Sequence, residues 1–346
     1  MFVDSLIMKC FNVFRLCVSV CALWACTDIE HLDTPSSGQE VCVLFAPNGL
    51  GDNGYNDQIL RGVVQFANND ESANVEVDYY NPTSLNDGVR IIDEWCDTTL
   101  EKKNSLLVLA SAVYKDTLTS RLQRKPLDTS HRQVLMFETD EVTLPGVATF
   151  NLSMYGMAYM AGAVANDMRS RPLIALANRE DEVVHVVADG FKAGFNAYND
   201  EKSAVDVVYL SDTDEGYAMA DSVYRLMYDW GMHYNFIFPV MGGSNMGVFR
   251  YMREYPRGLY TVGTDVDQSH LCNSMVGSMV KHIDCVVEEY LEKWTAGEEL
   301  PKHMVYGLES GYVDWLPSYN FEGVFDETLT RARMEAIEKE RNYGME

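Results

Sequence analysis

From Val41 onward, short apolar runs alternate with amphipathic segments, and that alternation confines the chain to one class of fold. Strands are predicted at Val41 to Ala46, Val75 to Tyr80, Leu106 to Ala110, Val134 to Phe137 and Val147 to Phe150. Helical patterns lie between them. Across Tyr55 to Asn68, the residues Ile59, Val63, Phe66 and Ala67 fall on one face; Val89, Ile92 and Trp95 do the same across Ser84 to Thr98. Apolar strands joined through helices build a parallel sheet covered on both sides. After a helix expected near Met154 to Met168 the pattern restarts, with strands at Leu173 to Ala177, Val205 to Leu210, Phe236 to Val240 and Tyr260 to Gly263. The expected architecture is therefore α/β, with two doubly wound parallel-sheet lobes, a hinge and an interlobe cleft. Lobe one is assigned residues 41–151 plus about 282–300, and lobe two 152–281 plus about 301–346. In such sheets, ligands sit beyond the carboxyl ends of the strands.

The residues before Val41 belong to neither lobe. Phe11 to Ala25 is mostly apolar, follows Lys9 and is interrupted by Arg15. It is too short to span a bilayer and right for a secretory signal, with Met8 as the expected start. It closes on Leu23-Trp24-Ala25-Cys26, which resembles the lipobox of bacterial lipoproteins, a family whose cysteine is diacylated and becomes the mature N-terminus. The expectation is a signal peptide at 1–25, lipid on Cys26, and a flexible tether through residue 40 that contains Pro35-Ser36-Ser37-Gly38. A plain signal peptide cut near Ala25 is the competing reading. The formal net charge of -25 repels phosphate backbones and anionic lipid, so neither a nucleic acid nor direct membrane adsorption is expected.

Few motifs point to bond-making chemistry. Gly49-Leu50-Gly51-Asp52-Asn53-Gly54 has the GxGxxG spacing of a dinucleotide loop, with Asp78 as a ribose partner. However, Pro47-Asn48 delays the turn, and Asp52 would lie beside a pyrophosphate. The side-chain oxygens of Asp52, Asn53, Asn56 and Asp57 lack the twelve-residue spacing and the distal bidentate Glu of a calcium loop. Gly242-Gly243-Ser244-Asn245-Met246-Gly247 misses the nucleophile-elbow pattern and reads as a strand-to-helix turn with free amides toward the cleft. Cys42, Cys96, Cys272 and Cys285 form no CxxC pair and are expected as buried free thiols, with a disulfide as the alternative that export permits. No metal and no cofactor is expected. Two late segments carry more. Asp265 ends an apolar strand and Lys281 ends another short apolar run, a carboxylate–ammonium pair suited to sugar hydroxyls or, equally on spacing, to an interlobe salt bridge.

An ordered set of motifs runs through the mature chain: Gly51-Asp52-Asn53-Gly54-Tyr55-Asn56-Asp57, Gly190-Phe191-Lys192-Ala193-Gly194-Phe195, Gly242-Gly243-Ser244, Val262-Gly263-Thr264-Asp265-Val266-Asp267-Gln268, Ser278-Met279-Val280-Lys281 and Tyr306-Gly307-Leu308. With these motifs the chain resembles the basic-membrane-protein lipoproteins, substrate-binding components that include purine nucleoside receptors and have the type I periplasmic-binding-protein fold. The resemblance implies a purine nucleoside gripped between the lobes and an ABC transporter permease as partner. Tyr55 matches the aromatic that stacks on the base, and Asn56 a polar contact. Asp265 and Lys281 match the pair on the ribose hydroxyls, and Glu138 falls where the family commonly has an aspartate near the base. Asp52 and Gly243 complete the expected ligand-binding set.

There are departures. Val187 stands where the nucleoside receptors carry a second aromatic, and Val113 near a position often aromatic. One lost stacking face is worth about 1–3 kcal/mol. The leading expectation is a lipid-anchored solute-binding protein of the cell envelope that closes by hinge motion. The alternatives are an enzyme acting on a nucleoside in the same cleft, with Asp52 or Glu138 as base, and a surface lipoprotein module without ligand.

Overall fold

The computed structural model describes residues 29–32, 38–52, 54–69, 74–98, 103–139, 142–198, 205–256 and 258–343. The signal peptide and Cys26 lie outside the described residues. Two sheets form. The first has seven strands: β1 (Ile29–Leu32), β2 (Gln39–Leu44), β3 (Val75–Tyr80), β4 (Asn104–Leu109), β5 (Arg132–Phe137), β6 (Val147–Leu152) and β12 (His303–Tyr306), in the order β1-β3-β2-β4-β5-β6-β12. The second has six: β7 (Pro172–Asn178), β8 (Asp206–Ser211), β9 (Phe236–Val240), β10 (Tyr260–Asp265), β11 (Met275–Lys281) and β13 (Val313–Pro317), in the order β13-β11-β10-β9-β7-β8. All neighbours pair in parallel except β1 with β3 and β13 with β11. Strand order reverses between β2 and β4 and again between β7 and β9, so each sheet has a switch point at its carboxyl edge.

Strands buried on both faces read as unbroken apolar runs because each face meets its own helices. In β2, Val41 and Val43, with Phe45 just beyond, pack with Ile59, Val63 and Phe66 of α1 (Tyr55–Ala67). Leu44 points the other way, toward Ile92 and Trp95 of α2 (Leu85–Asp97) and Leu118 of α3 (Lys115–Arg124). Helix α4 (Tyr155–Asp167), which opens the second lobe, is buried from Tyr155 to Ala165. It packs on α5 (Glu182–Asn196) at close range, because a Cβ at Gly190 or Gly194 would strike the main-chain carbonyls of Tyr155 and Tyr159. The Gly190-to-Phe195 motif is thus a helix-packing device. Helices α6 (Ala220–His233) and α7 (Asn245–Glu254) cover the far side of the second sheet.

The chain crosses between the lobes after β6, after β11 and after β12. After β11 it returns into α8 (Ile283–Thr295), which packs on α1, and the last helix, α9 (Asp326–Asn342), straps the crossings. Glu340 of α9 accepts at Oε1 from Ser153 Oγ (2.7 Å) and Gly156 N (2.9 Å), and at Oε2 from Leu308 N (2.8 Å). One carboxylate thereby ties two crossing segments together.

Three expectations need correction. Residues 303–306, assigned from sequence to lobe two, form β12 beside β6 in the first sheet. With Met304 and Val305 exposed on a four-residue edge strand, no buried apolar run announced it. Ile29–Leu32, read as tether, pairs antiparallel with β3, using the open edge that a doubly wound sheet leaves. The four thiols are free, but Cys285 is exposed on α8, Cys42 and Cys96 are half-buried, and only Cys272 is buried.

Candidate functional site

Four of the singled-out residues converge where the lobes meet. Tyr55 opens α1 on the first lobe, and Glu138 follows β5 of the same sheet. Asp265 ends β10 and Lys281 ends β11 on the second lobe. Lys281 Nζ donates to Glu138 Oε1 at 3.0 Å, lies 3.6 Å from Asp265 Oδ1, and stands 5.3 Å from the centroid of the Tyr55 ring. The ammonium thus joins two lobes and three partners, and is only 5% exposed. The sugar-hydroxyl and interlobe-bridge readings of Lys281 are therefore not exclusive: the bridge exists, and its carboxylates line the closed interface.

Backbone strain marks the same residues. Glu138 and Asp265 have φ of 53° and 68°, in the left-handed region that side chains other than glycine seldom adopt. Each such residue costs of order 1–3 kcal/mol, and such strain concentrates at functional sites. Glu138 thereby reaches across to Lys281 of the second lobe, and Asp265 turns toward the same ammonium from the neighbouring strand.

The electrostatics follow from burial. Burial raises the Glu138 carboxyl above its ordinary value, with Lys281 pulling it back and Asp265 adding to the rise. Burial works against the Lys281 ammonium, but Glu138 and Asp265 outweigh it and hold its pKa above the usual lysine value. Burial likewise lifts the Tyr55 hydroxyl well out of the titrating range, helped by Glu138, Asp265 and Asp52. The cluster therefore holds two carboxyl groups against one firmly charged ammonium, with a neutral phenol beside them.

Hydrogen bonding here is incomplete. Tyr55 OH, Asn56 Oδ1, Gln58 Oε1 and Glu138 Oε2 are buried and lack a hydrogen-bond partner among the described residues. A buried polar atom without a partner costs about 1–3 kcal/mol, so native structures avoid such clusters unless something else satisfies them. Three of the four are acceptors. These oxygens can accept N–H or O–H hydrogens from a bound molecule.

Two expected residues stand apart. Asp52 is exposed, and its carboxylate is spent on the start of α1: it accepts from Gly54 N (2.9 Å), Asn56 N (2.9 Å), Asn56 Nδ2 (2.9 Å) and Asp57 N (3.2 Å). It therefore caps the helix and orients Asn56. Gly243 is exposed in the short helical turn after β9, where a Cβ would lie 3.1 Å from the Tyr217 carbonyl. Val187 is fully buried on α5, and Val113 is exposed.

Sequence reasoning passed over two residues. Gln58 is 8% exposed, and its Nε2 donates to the Asp265 main-chain carbonyl at 3.3 Å. Its signal was legible, since it lies three residues after Tyr55 on the same helical face. Tyr217 sits after β8 with its hydroxyl donated to Asp181; burial raises its pKa, and Asp181, Asp214 and Asp265 add to the rise. An isolated tyrosine in an acidic loop carries no such signal. Among the described residues, no group of three or more His, Cys, Asp and Glu side chains is placed to hold a metal ion, and no helix is long and apolar enough to cross a membrane.

Comparison with known proteins identifies the family and the fold. The family model of PnrA-like ABC transporter substrate-binding proteins matches residues 39–341. The chain belongs to that family. A curated relative, basic membrane protein C of Borreliella burgdorferi, is 25% identical over 261 residues, covering 72% of each chain. Among solved structures, a solute-binding protein of an ABC transporter system from Aeropyrum pernix K1 superposes with a TM-score of 0.65 at 18% identity, covering 88% of this chain and 86% of that one. A transcriptional activator of the comK gene from Bacillus halodurans gives 0.64 at 19% identity, over 88% and 97%. Those two likenesses establish the α/β two-lobed fold alone; one is a transporter component and the other a regulator. Family membership makes this chain the solute-binding component of an ABC system, a class that works outside the cytoplasm and takes a small molecule and a transporter as partners.

Proposed function

We propose that this protein captures a purine nucleoside between its lobes and delivers it to an ABC permease while anchored through lipid on Cys26. The observation that carries the ligand class is the pair of buried, unpaired acceptors on Gln58 and Glu138, next to the Lys281–Asp265 pair. A nucleoside offers sugar hydroxyls to the carboxylates and base N–H groups to the remaining oxygens. Lys281 covers one face of the Tyr55 ring, so a stacked base takes the other. With Glu138 and Asp265 against a single Lys281, an added phosphate would be repelled, which favours nucleosides over nucleotides. The lipid anchor rests on the Leu23-Trp24-Ala25-Cys26 motif.

The test is a thermal-shift screen of ligand-stripped protein with guanosine, inosine, adenosine, their free bases, ribose and nucleoside monophosphates. A ligand at a hundred times its Kd adds about 2.7 kcal/mol, which raises Tm by a few degrees for lobes of this size. Nucleosides should stabilise the protein more than bases, ribose or monophosphates. A shift with a sugar and none with millimolar nucleoside would overturn this reading.

A further inference from the structure

Gln58 is a buried amide with one half of its hydrogen bonding made across the lobes and the other half unmade. It lies on α1 of the first lobe, one turn after Tyr55. Its Nε2 donates to the carbonyl of Asp265, 207 residues away on the second lobe. Its Oε1 is buried without a partner among the described residues. Asp265 is the residue whose left-handed backbone turns its carboxylate toward Lys281. One amide therefore touches the main chain of the very residue whose side chain helps hold the ammonium.

We infer that Gln58 is a ligand-reading latch for lobe closure. Its donor half ties the first lobe to Asp265, and its acceptor half takes an O–H or N–H hydrogen from the ligand. Closure over an empty site strands Oε1 away from water, which disfavours the closed form by roughly tenfold to a hundredfold. A ligand with a donor at that point removes the penalty, and the Nε2 bond then holds the lobes together. A ligand with an acceptor there meets Oε1 lone pair to lone pair and is rejected. The latch thus sets specificity through the stability of the closed complex. This inference rests on an interlobe ligand of the proposed kind.

Because the latch acts only after closure, its loss should appear in the dissociation rate. Inosine is the probe, measured by stopped-flow with wild type, Gln58→Met and Gln58→Glu. Gln58→Met keeps the length and removes both the interlobe donor and the stranded acceptor. Its ligand-free Tm should equal or exceed that of wild type, while inosine dissociates at least tenfold faster with an unchanged association rate. Gln58→Glu replaces the donor by a second oxygen facing a carbonyl. It should lose more affinity at neutral pH and recover part of it on acidification, when a protonated carboxyl donates again. If wild type binds inosine and Gln58→Met dissociates at the wild-type rate, the latch is overturned. If Gln58→Met loses ligand-free stability in step with affinity, Gln58 is a packing residue and the latch is likewise overturned. Failure of wild type itself to bind inosine, guanosine or adenosine would instead overturn the nucleoside reading.

Discussion

Replacing Lys281 with methionine keeps the side chain's length and deletes its charge, leaving Glu138 Oε1 and Asp265 Oδ1 without the ammonium 3.0 and 3.6 Å away. Removing one partner of a buried ion pair costs about 3–5 kcal/mol when the survivor must stay ionised and buried. Two escapes decide where that cost falls. Glu138 is already pushed toward its neutral form by burial, so a proton can relieve it. The pair also spans the lobes, so separating them returns Glu138 to water without unfolding either sheet. The cost should therefore fall on closure. At about 1.4 kcal/mol per tenfold, affinity for a nucleoside that stabilises wild type should drop by roughly a hundredfold or more at neutral pH. The Tm of the ligand-free protein should move by only a few degrees. Isothermal titration at pH 7.5 and 5.5, with scattering profiles of the free and loaded protein, reads both quantities. The loss should shrink at the lower pH, where a proton neutralises the stranded carboxyl. Wild-type affinity in Lys281→Met, or a fall in stability with affinity intact, would refute this account and leave Lys281 a plain structural bridge.

Glu138→Gln isolates the proton. In wild type, ligand affinity should decline as pH falls through the raised Glu138 pKa, because a protonated Oε2 no longer accepts; the variant should bind with a flatter pH profile in titrations across that range. Folding stability carries the opposite sign. The folded state holds this proton more tightly than the unfolded chain, whose value is near 4.5, so the contribution of Glu138 is greatest below 4.5 and is lost as pH rises through the folded value. Cys26→Ala should move the protein from the membrane to the soluble fraction; retention in membranes after detergent-free fractionation would count against lipidation. Glu340→Ala strands Ser153 Oγ and the amides of Gly156 and Leu308, and should cost about 2–4 kcal/mol in denaturant titration, less than three separate bonds because the site is only partly buried. A loss under about 0.5 kcal/mol would show that the staple between the crossings contributes nothing.

The α/β class and most strands were legible in the sequence because both faces of each central strand are buried, which writes a continuous apolar run at positions such as Val134 to Phe137. Val75–Tyr80 and Phe236–Val240 fall where the pattern put them. Asp265 and Lys281 were legible for a related reason, since a charged residue ending an apolar strand must lie at the sheet's carboxyl edge. Other features depend on what approaches from elsewhere in the chain. Nothing local distinguishes β1 from a tether or β12 from a loop, because an edge strand is defined by the open neighbour it pairs with. Asp52 and Tyr55 share one motif, yet the first caps a helix in solvent and the second turns its ring under an ammonium from the other lobe. Above all, residues 58, 138, 265 and 281 meet only because the two lobes approach through the carboxyl ends of their strands. Spacing along a chain records which side of a strand or helix a residue occupies; it does not record the distance between lobes, and that distance decides which buried groups are left for a ligand to satisfy.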